Sequence, residues 1–419
     1  MISTQFSDLN LSAPILKALT EEGHHTPTPI QIEAIPLILE GKDILATAQT
    51  GTGKTAAFAL PMLKVLHETK PPRAHHIRAL ILTPTRELAL QIESNFKTYG
   101  RHLPLSTTVV LGGVSSFSQI KALRKGPDIL VATPGRLIDL YNQGYIRLDR
   151  VSMFVLDEAD RMLDMGFVND VRRIASYLPP KRQTMLFSAT LTSDVMHLAT
   201  GMLDSPVRIE VSPPSSVSLN IHQKVMFVDH IDKKQLLTGI LSDVGVSRAL
   251  VFARTKRQAD RITRALTSSG ISADAIHSDK TQNARQKALN AFDRGRIKVL
   301  VGTDIVARGI DVDGISHVIN YELPNDPESY VHRIGRTARA GADGIALSFC
   351  SADQISLLSG IEKLIKQTLT EIDDHPFHSA YISAMRGRMA SKSAPSTPSR
   401  PHGRKNRRPS SRGNRMSRR

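Results

Sequence analysis

Short apolar runs recur along the chain and alternate with longer segments of helical periodicity. Such runs, rich in Val, Ile and Leu, are typical of strands that are buried on both faces. Their alternation with helices predicts an α/β fold with parallel sheets. The runs are Ala79–Leu82, Ile129–Val131, Met153–Leu156, Met185–Phe187, Ala249–Phe252, Val299–Val301 and Val318–Asn320.

The two halves of the chain resemble each other. Residues 79–86 are similar to residues 249–256, and residues 129–134 are similar to residues 299–304. Either pair alone fits the general likeness of buried strands. Because both pairs are separated by the same 170 positions, the pattern favours two copies of one domain architecture.

Composition shifts predict the domain boundaries. The prolines of Ser212–Ser216 cannot continue a helix or join a sheet interior, so this segment reads as a linker. We expect a first domain at 1–211, a linker at 212–217, a second domain at 218–374 and a disordered basic tail at 375–419. The tail holds twelve Lys and Arg residues and no acidic one, and so most of the net charge of +16. Such asymmetry indicates a polyanionic partner, most simply nucleic acid.

Length and composition are those of a globular protein, with 419 residues, 40% hydrophobic and 22% charged. No apolar run is long enough to span a bilayer, and the first residues lack the apolar segment of a signal peptide. The single cysteine, Cys350, cannot form an internal disulfide and reads as a buried core residue. These features predict a cytoplasmic protein without a membrane role.

A glycine-rich loop follows the strand-like run Ile44–Thr47 and precedes a helix-like segment, Ala56–Leu66. Backbone N–H groups at such a loop can cradle phosphate, Lys54 would reach the terminal phosphates of a nucleotide, and Thr55 would contact Mg²⁺. A mere turn beside a surface lysine is the weaker interpretation in this context. The candidate nucleotide-binding residues are Ala48, where the strict pattern has Gly, Gln49, Thr50, Gly51, Thr52, Gly53, Lys54 and Thr55.

Two carboxylates follow the predicted strand Met153–Leu156. Asp157 is suited to holding Mg²⁺, and Glu158 to acting as the general base that deprotonates the attacking water. An acidic helix N-terminus is the ordinary alternative, and the phosphate loop upstream favours the catalytic interpretation.

The second half supplies positive charge. His332–Arg339 contains three arginines, of which Arg336 and Arg339 would share a helix face and reach a γ-phosphate. A solvated basic turn or a contact to nucleic-acid phosphates is an equally good interpretation from the sequence.

An ordered set of short motifs then resembles the DEAD-box family of superfamily 2 helicases from Phe6 to about Gly341. Residues 160–167 and the basic tail further resemble the bacterial RhlE subgroup. The motifs are Pro29–Gln31, Ala48–Thr55, Pro84–Ala89, Gly112–Gly113, Thr133–Arg136, Asp157–Asp160, Ser188–Thr190, Gln282–Arg285, Thr303–Asp311 and His332–Arg339.

The resemblance implies two RecA-like domains that bind ATP and RNA in or across the cleft between them. Gln31 would then bond the adenine, with Phe6 and His24 beside it, and Asp311 would contact the ribose. Ser188 and Thr190 would relay between the two sites, or merely cap a turn, and His332 would join the catalytic group. His24 departs from the usual Phe or Tyr and Ala338 from the usual Gly, which leaves the activity class unchanged.

The resemblance also implies RNA contacts that read backbone rather than sequence. They would come from Pro84, Thr85, Arg86, Gly112, Gly113, Thr133, Pro134, Gly135, Arg136, Gln282, Arg285, Thr303 and Asp304. The two adjacent glycines, taken alone, read as an ordinary turn.

The expected function is ATP-dependent local unwinding of short RNA duplexes, with single-stranded RNA as the main partner. Ribosome assembly and RNA remodelling or decay are the expected settings, with ribosomal RNA or the decay machinery as partners. Two rival functions are a DNA-directed translocase and a non-catalytic RNA chaperone. The pair Asp157 and Glu158 argues against the chaperone, because pure binding needs no general base.

Overall fold

The computed structural model of the chain describes residues 4–48, 51–69, 76–211, 220–304, 312, 314–338 and 343–393. Gln49, Thr50, Asp311, Arg339 and the predicted linker at 212–217 lie outside the described residues. No helix in the described part of the chain is long and apolar enough to cross a membrane.

The first half forms a parallel sheet, in which the described residues supply seven strands in the order β3-β4-β2-β5-β6-β1-β7. The strands are β1 (Ile44–Thr47), β2 (Ala79–Leu82), β3 (Thr107–Val110), β4 (Ile129–Ala132), β5 (Met153–Leu156), β6 (Gln183–Ser188) and β7 (Val207–Glu210). A short 3₁₀ helix at Phe6–Leu9 and nine α-helices accompany them in the described residues: α1 (Ala13–Glu21), α2 (Pro29–Leu39), α3 (Lys54–Glu68), α4 (Arg86–Tyr99), α5 (Ser116–Leu123), α6 (Pro134–Asn142), α7 (Ala159–Asp164), α8 (Val168–Ser176) and α9 (Ser193–Thr200).

The second half repeats this topology, with the strand order β10-β11-β9-β12-β13-β8-β14 over the described residues. Its strands are β8 (Ile221–Phe227), β9 (Ala249–Phe252), β10 (Ala273–Ile276), β11 (Val299–Gly302), β12 (His317–Asn320), β13 (Gly344–Cys350) and β14 (Thr370–Glu371). Its helices are α10 (Lys233–Ser242), α11 (Lys256–Ser268), α12 (Gln282–Asp293), α13 (Pro327–Ile334), α14 (Ile355–Ile365) and α15 (Ala380–Ser393), with a 3₁₀ turn at Ala352–Gln354.

The repeat predicted from the sequence is confirmed at the level of register. Ala79 of β2 pairs with Ile129 of β4, and Ala249 of β9 pairs with Val299 of β11. The helices that follow β2 and β9 also begin alike, because Thr85 and Thr255 each accept a hydrogen bond from the backbone N–H three residues ahead. This is the usual way in which a threonine caps a helix.

The central strands are buried on both faces, as the continuous apolar runs predict. All four residues of β1, β2, β4, β5, β9, β11 and β12 are buried. Because the strands of each sheet are parallel, their carboxyl ends lie at one edge of that sheet. Open α/β sheets bind their ligands at this edge.

The prediction of a disordered tail from residue 375 is wrong for residues 375–393. Helix α15 packs on the second domain, with Ile382 fully buried. Arg386 donates a hydrogen bond to Leu369 O at 3.0 Å and to the Glu362 carboxylate, and lies over the Phe227 ring. These partners are distant in sequence, so local composition could not indicate them. Residues 394–419 lie outside the described residues.

Candidate functional site

The glycine-rich loop joins β1 to α3 at the carboxyl edge of the first sheet. Gly51 and Gly53 have φ of +83° and +87°, a backbone region that favours glycine. Lys54 begins α3 and is 7% exposed, and its Nζ has no hydrogen-bond partner among the described residues. A buried, unpaired ammonium is costly unless an anion satisfies it, so the loop fits the phosphates of a nucleotide.

A cavity of about 430 Å³ opens over this loop. It brings together most of the described residues that the sequence assigns to nucleotide binding and hydrolysis, and it adds Tyr99 of α4, which sequence reasoning missed. The lining includes Phe6, His24, Gln31, Gly51, Gly53, Lys54, Thr55, Tyr99, Asp157, Glu158 and Arg336. Ala48 instead continues the sheet, since its N–H donates to Ser188 O at 3.1 Å.

Gln31 links the N-terminus of α2 to the phosphate loop. Its Oε1 accepts from Thr28 N at 2.9 Å, and its Nε2 donates to Gly53 O at 3.1 Å. A side-chain amide has two donors and two acceptor sites, so one of each stays free for a base edge. Nearby, the His24 and Tyr99 rings lie 6.2 Å apart.

The two carboxylates after β5 experience opposite electrostatic effects. Burial raises the pKa of Asp157 to about 7, although Lys54 acts in the other direction. Burial would also raise the pKa of Glu158, but Arg161, Lys54 and Arg336 outweigh it and leave that pKa below its ordinary value. Arg161 Nη1 donates to Glu158 Oε2 at 2.8 Å within a buried ion pair. Glu158 is therefore held ionised, as a general base requires.

The same carboxylates bear on metal binding. No cluster of three or more His, Cys, Asp or Glu side chains with metal-binding geometry occurs among the described residues. Mg²⁺ is commonly held by one or two protein groups together with substrate phosphates and water. Thr55 and Asp157, both lining the cavity of Lys54, fit that donor set.

Ser188 and Thr190 bind the turn that carries the two carboxylates. Asp160 Oδ2 accepts from Ala189 N, Thr190 N and Thr190 Oγ1 at 3.1, 3.1 and 3.2 Å. Ser188 Oγ accepts from Asp160 N at 3.3 Å and donates to Thr190 O at 2.8 Å. These bonds attach the segment after β6 to the start of α7.

Arg336 brings the second domain into the nucleotide cavity. It follows α13, is 3% exposed, and its Nε donates to His332 O at 3.2 Å. His332 and Arg336 also line a small cavity together with Glu158 and Asp160. Residues of both domains therefore line the same cavity. Arg339 lies outside the described residues.

A second cavity of about 430 Å³ collects candidate RNA-binding residues from the carboxyl ends of β2, β3 and β4. Its lining includes Pro84, Thr85, Arg86, Gly112, Thr133, Gly135, Arg136 and Arg285. Pro134 lies beside it at the start of α6, and Thr303 follows β11.

The adjacent glycines do more than form a turn. The Arg86 guanidinium lies so close that a Cβ at Gly113 would be 2.0 Å from its Nη1. Gly113 also has φ of +75°. The positive φ favours glycine at this position, and a side chain there would displace the Arg86 guanidinium.

Two further candidates, Gln282 and Arg285, have a protein partner that the sequence did not predict. Arg285 Nη2 donates to Glu87 Oε2 at 2.7 Å, and Gln282 Nε2 donates to Glu87 Oε1 at 3.1 Å. Glu87 is 1% exposed. Helix α12 of the second domain is thereby bonded to α4 of the first, and Arg285 still lines the RNA cavity.

Asp304, another candidate RNA-binding residue, has a protein partner that the sequence did not predict. Both of its carboxylate oxygens accept from Arg333, at 2.6 and 2.7 Å. Arg333 is 1% exposed, donates also to Asn320 Oδ1 and Glu322 O, and lies over the Phe252 ring. The Asp304 carboxylate therefore neutralises a buried arginine, and its contact with RNA stays a prediction.

Comparison with known proteins identifies the family of the chain. Residues 28–198 match the DEAD/DEAH box helicase family, and residues 232–341 match the helicase conserved C-terminal domain. The DEAD-box ATP-dependent RNA helicase CshA of Bacillus subtilis is 42% identical over 369 residues, which cover 88% of this chain and 74% of that protein. The chain belongs to the DEAD-box helicase family. It is an ATP-dependent RNA helicase, and such helicases are RNA-stimulated ATPases. The RhlE subgroup stays a prediction.

Solved structures of a relative confirm the two RecA-like domains of this DEAD-box helicase. A single-residue variant of S. cerevisiae Dbp5 bound to RNA and ADP BeF3 superposes with a TM-score of 0.79, at 30% identity over 92% of this chain and 98% of that one. The same variant bound to Nup159, Gle1, ip6 and ADP gives 0.61, at 30% identity over 91% and 99%. Identity and coverage are nearly the same in the two comparisons, so the difference in TM-score reflects how the two domains are arranged. The arrangement in this chain is closer to that of the RNA-bound form.

Proposed function

We propose that this DEAD-box helicase hydrolyses ATP in the cavity over Lys54 and binds single-stranded RNA in the cavity over Arg86. Closure of the two domains would complete both sites. The observation that carries the proposal is the presence of Arg336, from the second domain, beside Lys54, Asp157 and Glu158 of the first. A site divided in this way is complete only when the domains meet.

Each residue of the nucleotide cavity has a distinct part in hydrolysis. Lys54 and the backbone of the phosphate loop bind the terminal phosphates, and Glu158 orients and deprotonates the attacking water. Arg336, together with Arg339, stabilises the charge that develops on the γ-phosphate. When bound, Mg²⁺ held by Thr55 and Asp157 would neutralise phosphate charge.

The remaining contacts fix the nucleoside. Gln31 offers its free donor and acceptor to the adenine edge, with Phe6 and His24 packing beside the base. Asp311 binds the ribose hydroxyls. His332, Ser188 and Thr190 connect this cavity to the RNA side through Asp160.

RNA binding is proposed to favour the same closed arrangement as ATP. The groups that line the RNA cavity are guanidinium groups, hydroxyls and glycine backbone, which contact phosphates and 2′-hydroxyls without reading sequence. Each ligand pre-organises the site of the other, which is a reciprocal coupling. A bent single strand is incompatible with a straight duplex, so closure would separate short duplexes locally.

The setting of this activity is also a proposal. We place the domains at 1–211 and 218–393, joined by a linker at 212–217 and followed by a basic segment that adds RNA affinity. We propose a cytoplasmic role in ribosome assembly or in RNA remodelling and decay.

The first test is the steady-state ATPase rate of the wild type and of Glu158→Gln, without nucleic acid, with single-stranded RNA and with single-stranded DNA. We expect stimulation by RNA alone, and its loss in Glu158→Gln. Equal stimulation by DNA would favour a translocase. Tight RNA binding without stimulated turnover would favour a chaperone and contradict the proposal.

A further inference from the structure

A groove of about 610 Å³ lies beside the RNA cavity, between the first and second domains. Leu111, Val114 and Ser118 line it from the first domain, and Gln282, Asn283 and Gln286 of α12 line it from the second. Gly112 lines the RNA cavity itself. The cavity and the groove therefore meet at the loop that carries Gly112 and Gly113.

Two guanidinium groups hold this loop. Arg86 lies against Gly113, and both Nη atoms of Arg136 donate to Val114 O at 3.3 Å. Both arginines line the RNA cavity. A phosphate backbone bound there would be positioned by the same loop that leads into the groove.

Phe117 follows this loop and is exposed to solvent. It is the second residue of α5, and Ser115 Oγ accepts from its N–H at 3.3 Å. The helix packs on the domain through Gln119 and Leu123, while the Phe117 side chain is 77% exposed, more than any other described Phe or Tyr. Folding of the first domain does not explain an aromatic ring in this position.

We propose that Phe117 is a stacking platform for an unpaired RNA base next to the nucleotides held in the RNA cavity. Proteins that bind single strands without sequence preference combine a cationic track with aromatic side chains on which bases stack. Arg86 and Arg136 supply the track, and Phe117 supplies an exposed ring on the segment between Val114 and Ser118, two residues that line the groove. The inference rests on the proposed RNA cavity and extends its footprint by one base.

The test uses the full chain with Phe117→Ser and Phe117→Trp. We expect Phe117→Ser to raise the KM for a short single-stranded RNA in the ATPase assay about tenfold, with kcat at saturating RNA unchanged. A series of RNAs, each with one abasic site at a different position, should contain one RNA for which the KM of the wild type rises by the same factor. Phe117→Ser should be insensitive at that position, because the lost contact is the same one.

The tryptophan variant gives an optical readout, because the natural chain contains no Trp. Phe117→Trp should retain the wild-type KM, and RNA should quench its fluorescence. Tyr381→Trp is the matched control, since Tyr381 is also exposed, at 69%, but lies on α15 of the second domain. Its fluorescence should not respond to RNA.

Failure of this inference differs from failure of the proposed RNA cavity. If Phe117→Ser leaves the KM unchanged while Arg86→Ala raises it, Phe117 makes no RNA contact and the inference is overturned. If Arg86→Ala also leaves the KM unchanged, the RNA cavity itself is wrong. The stacking proposal would also be overturned if every abasic site changed the KM for RNA by the same factor in the wild type and in Phe117→Ser.

Discussion

The Glu87 carboxylate accepts a hydrogen bond from the Arg285 guanidinium at 2.7 Å across the boundary between the two domains. Both side chains are nearly fully buried, and Gln282 occupies the other carboxylate oxygen. In an open arrangement the same groups would be free to interact with water. On the proposed mechanism we therefore expect this pair to stabilise closure rather than either domain alone.

We expect Glu87→Ala to leave Arg285 buried and unpaired in the closed state, and so to disfavour closure. Truncating one partner of a buried charge pair typically costs 2–5 kcal/mol or more. The KM for RNA should rise at least about tenfold, while the melting temperature changes little. Glu93→Gln is the control, because Glu93 pairs with Lys97 on the same helix rather than with the second domain, and the Lys97 side chain is 58% exposed. Equal effects of the two variants would contradict a closure-specific role.

Gly53→Ala should weaken ATP binding. A Cβ at this position would lie 2.4 Å from Gln31 Nε2, and the backbone has φ of +87°, where a side chain costs roughly 1–2 kcal/mol. The displaced Gln31 would no longer be aligned for the adenine, so the KM for ATP should rise about tenfold or more.

Gly144→Ala separates the cost of the positive φ from the displacement of Gln31. Gly144 has φ of +77°, and nothing lies within 4 Å of an added Cβ. It should lower stability by a similar backbone cost while leaving the KM for ATP unchanged. If Gly53→Ala behaved in the same way, the link between Gln31 and the phosphate loop would have no part in nucleotide binding.

The strands, their parallel arrangement and the repeat were predictable from sequence, because continuous apolar runs report burial on both faces. Motif residues next to strand ends also converge as expected, since topology fixes where strand ends meet. The roles of Glu87 and Arg161 were not predicted from the sequence. Each residue lies inside or beside a motif, and its role depends on an ion-pair partner, Arg285 or Glu158, whose position is set by folding. The pairing of Asp304 with Arg333, 29 positions away, was missed for the same reason. A pattern identifies a buried strand, but the pairing of charges depends on tertiary contacts.

Asp157→Asn should stabilise the nucleotide-free protein at alkaline pH. Burial raises the pKa of Asp157 to about 7, so the folded protein binds this proton more tightly than the unfolded chain does. Ionisation of this carboxyl therefore lowers the free energy of unfolding, and the loss is complete above about pH 7. The loss becomes smaller as the pH falls toward the ordinary carboxyl pKa of about 4.

The measurement is the melting temperature of wild type and variant across this pH range. We expect Asp157→Asn to melt about 3 °C or more above the wild type at about pH 8, and this difference to shrink steadily as the pH falls toward about 4. Turnover of ATP should be lost at every pH. Asp149→Asn, at an exposed carboxylate, should show no such pH-dependent gain, and a gain independent of pH in Asp157→Asn would rule out the titration.

Arg161→Met should change the pH dependence of hydrolysis. Arg161 is the strongest of the cations that offset burial and hold the pKa of Glu158 below its ordinary value. Without it the pKa rises, so the base is protonated over a wider range and the acidic limb of kcat moves to higher pH. Arg161→Lys retains the charge and should retain most of the wild-type profile. A uniform loss at all pH values would instead indicate a purely structural role.

Two truncations distinguish the basic segment from the helix before it. Removing residues 394–419 deletes nine Lys and Arg residues without touching the described contacts of α15. The KM for RNA should rise and its salt dependence should flatten, because fewer counterions are released on binding, while the melting temperature and kcat stay constant. Removing 385–419 also deletes Arg386, which bonds Glu362 and Leu369 O, so the melting temperature should fall as well. Equal melting temperatures would mean that α15 adds nothing to the domain, and an unchanged salt slope would mean that the basic segment does not contact RNA.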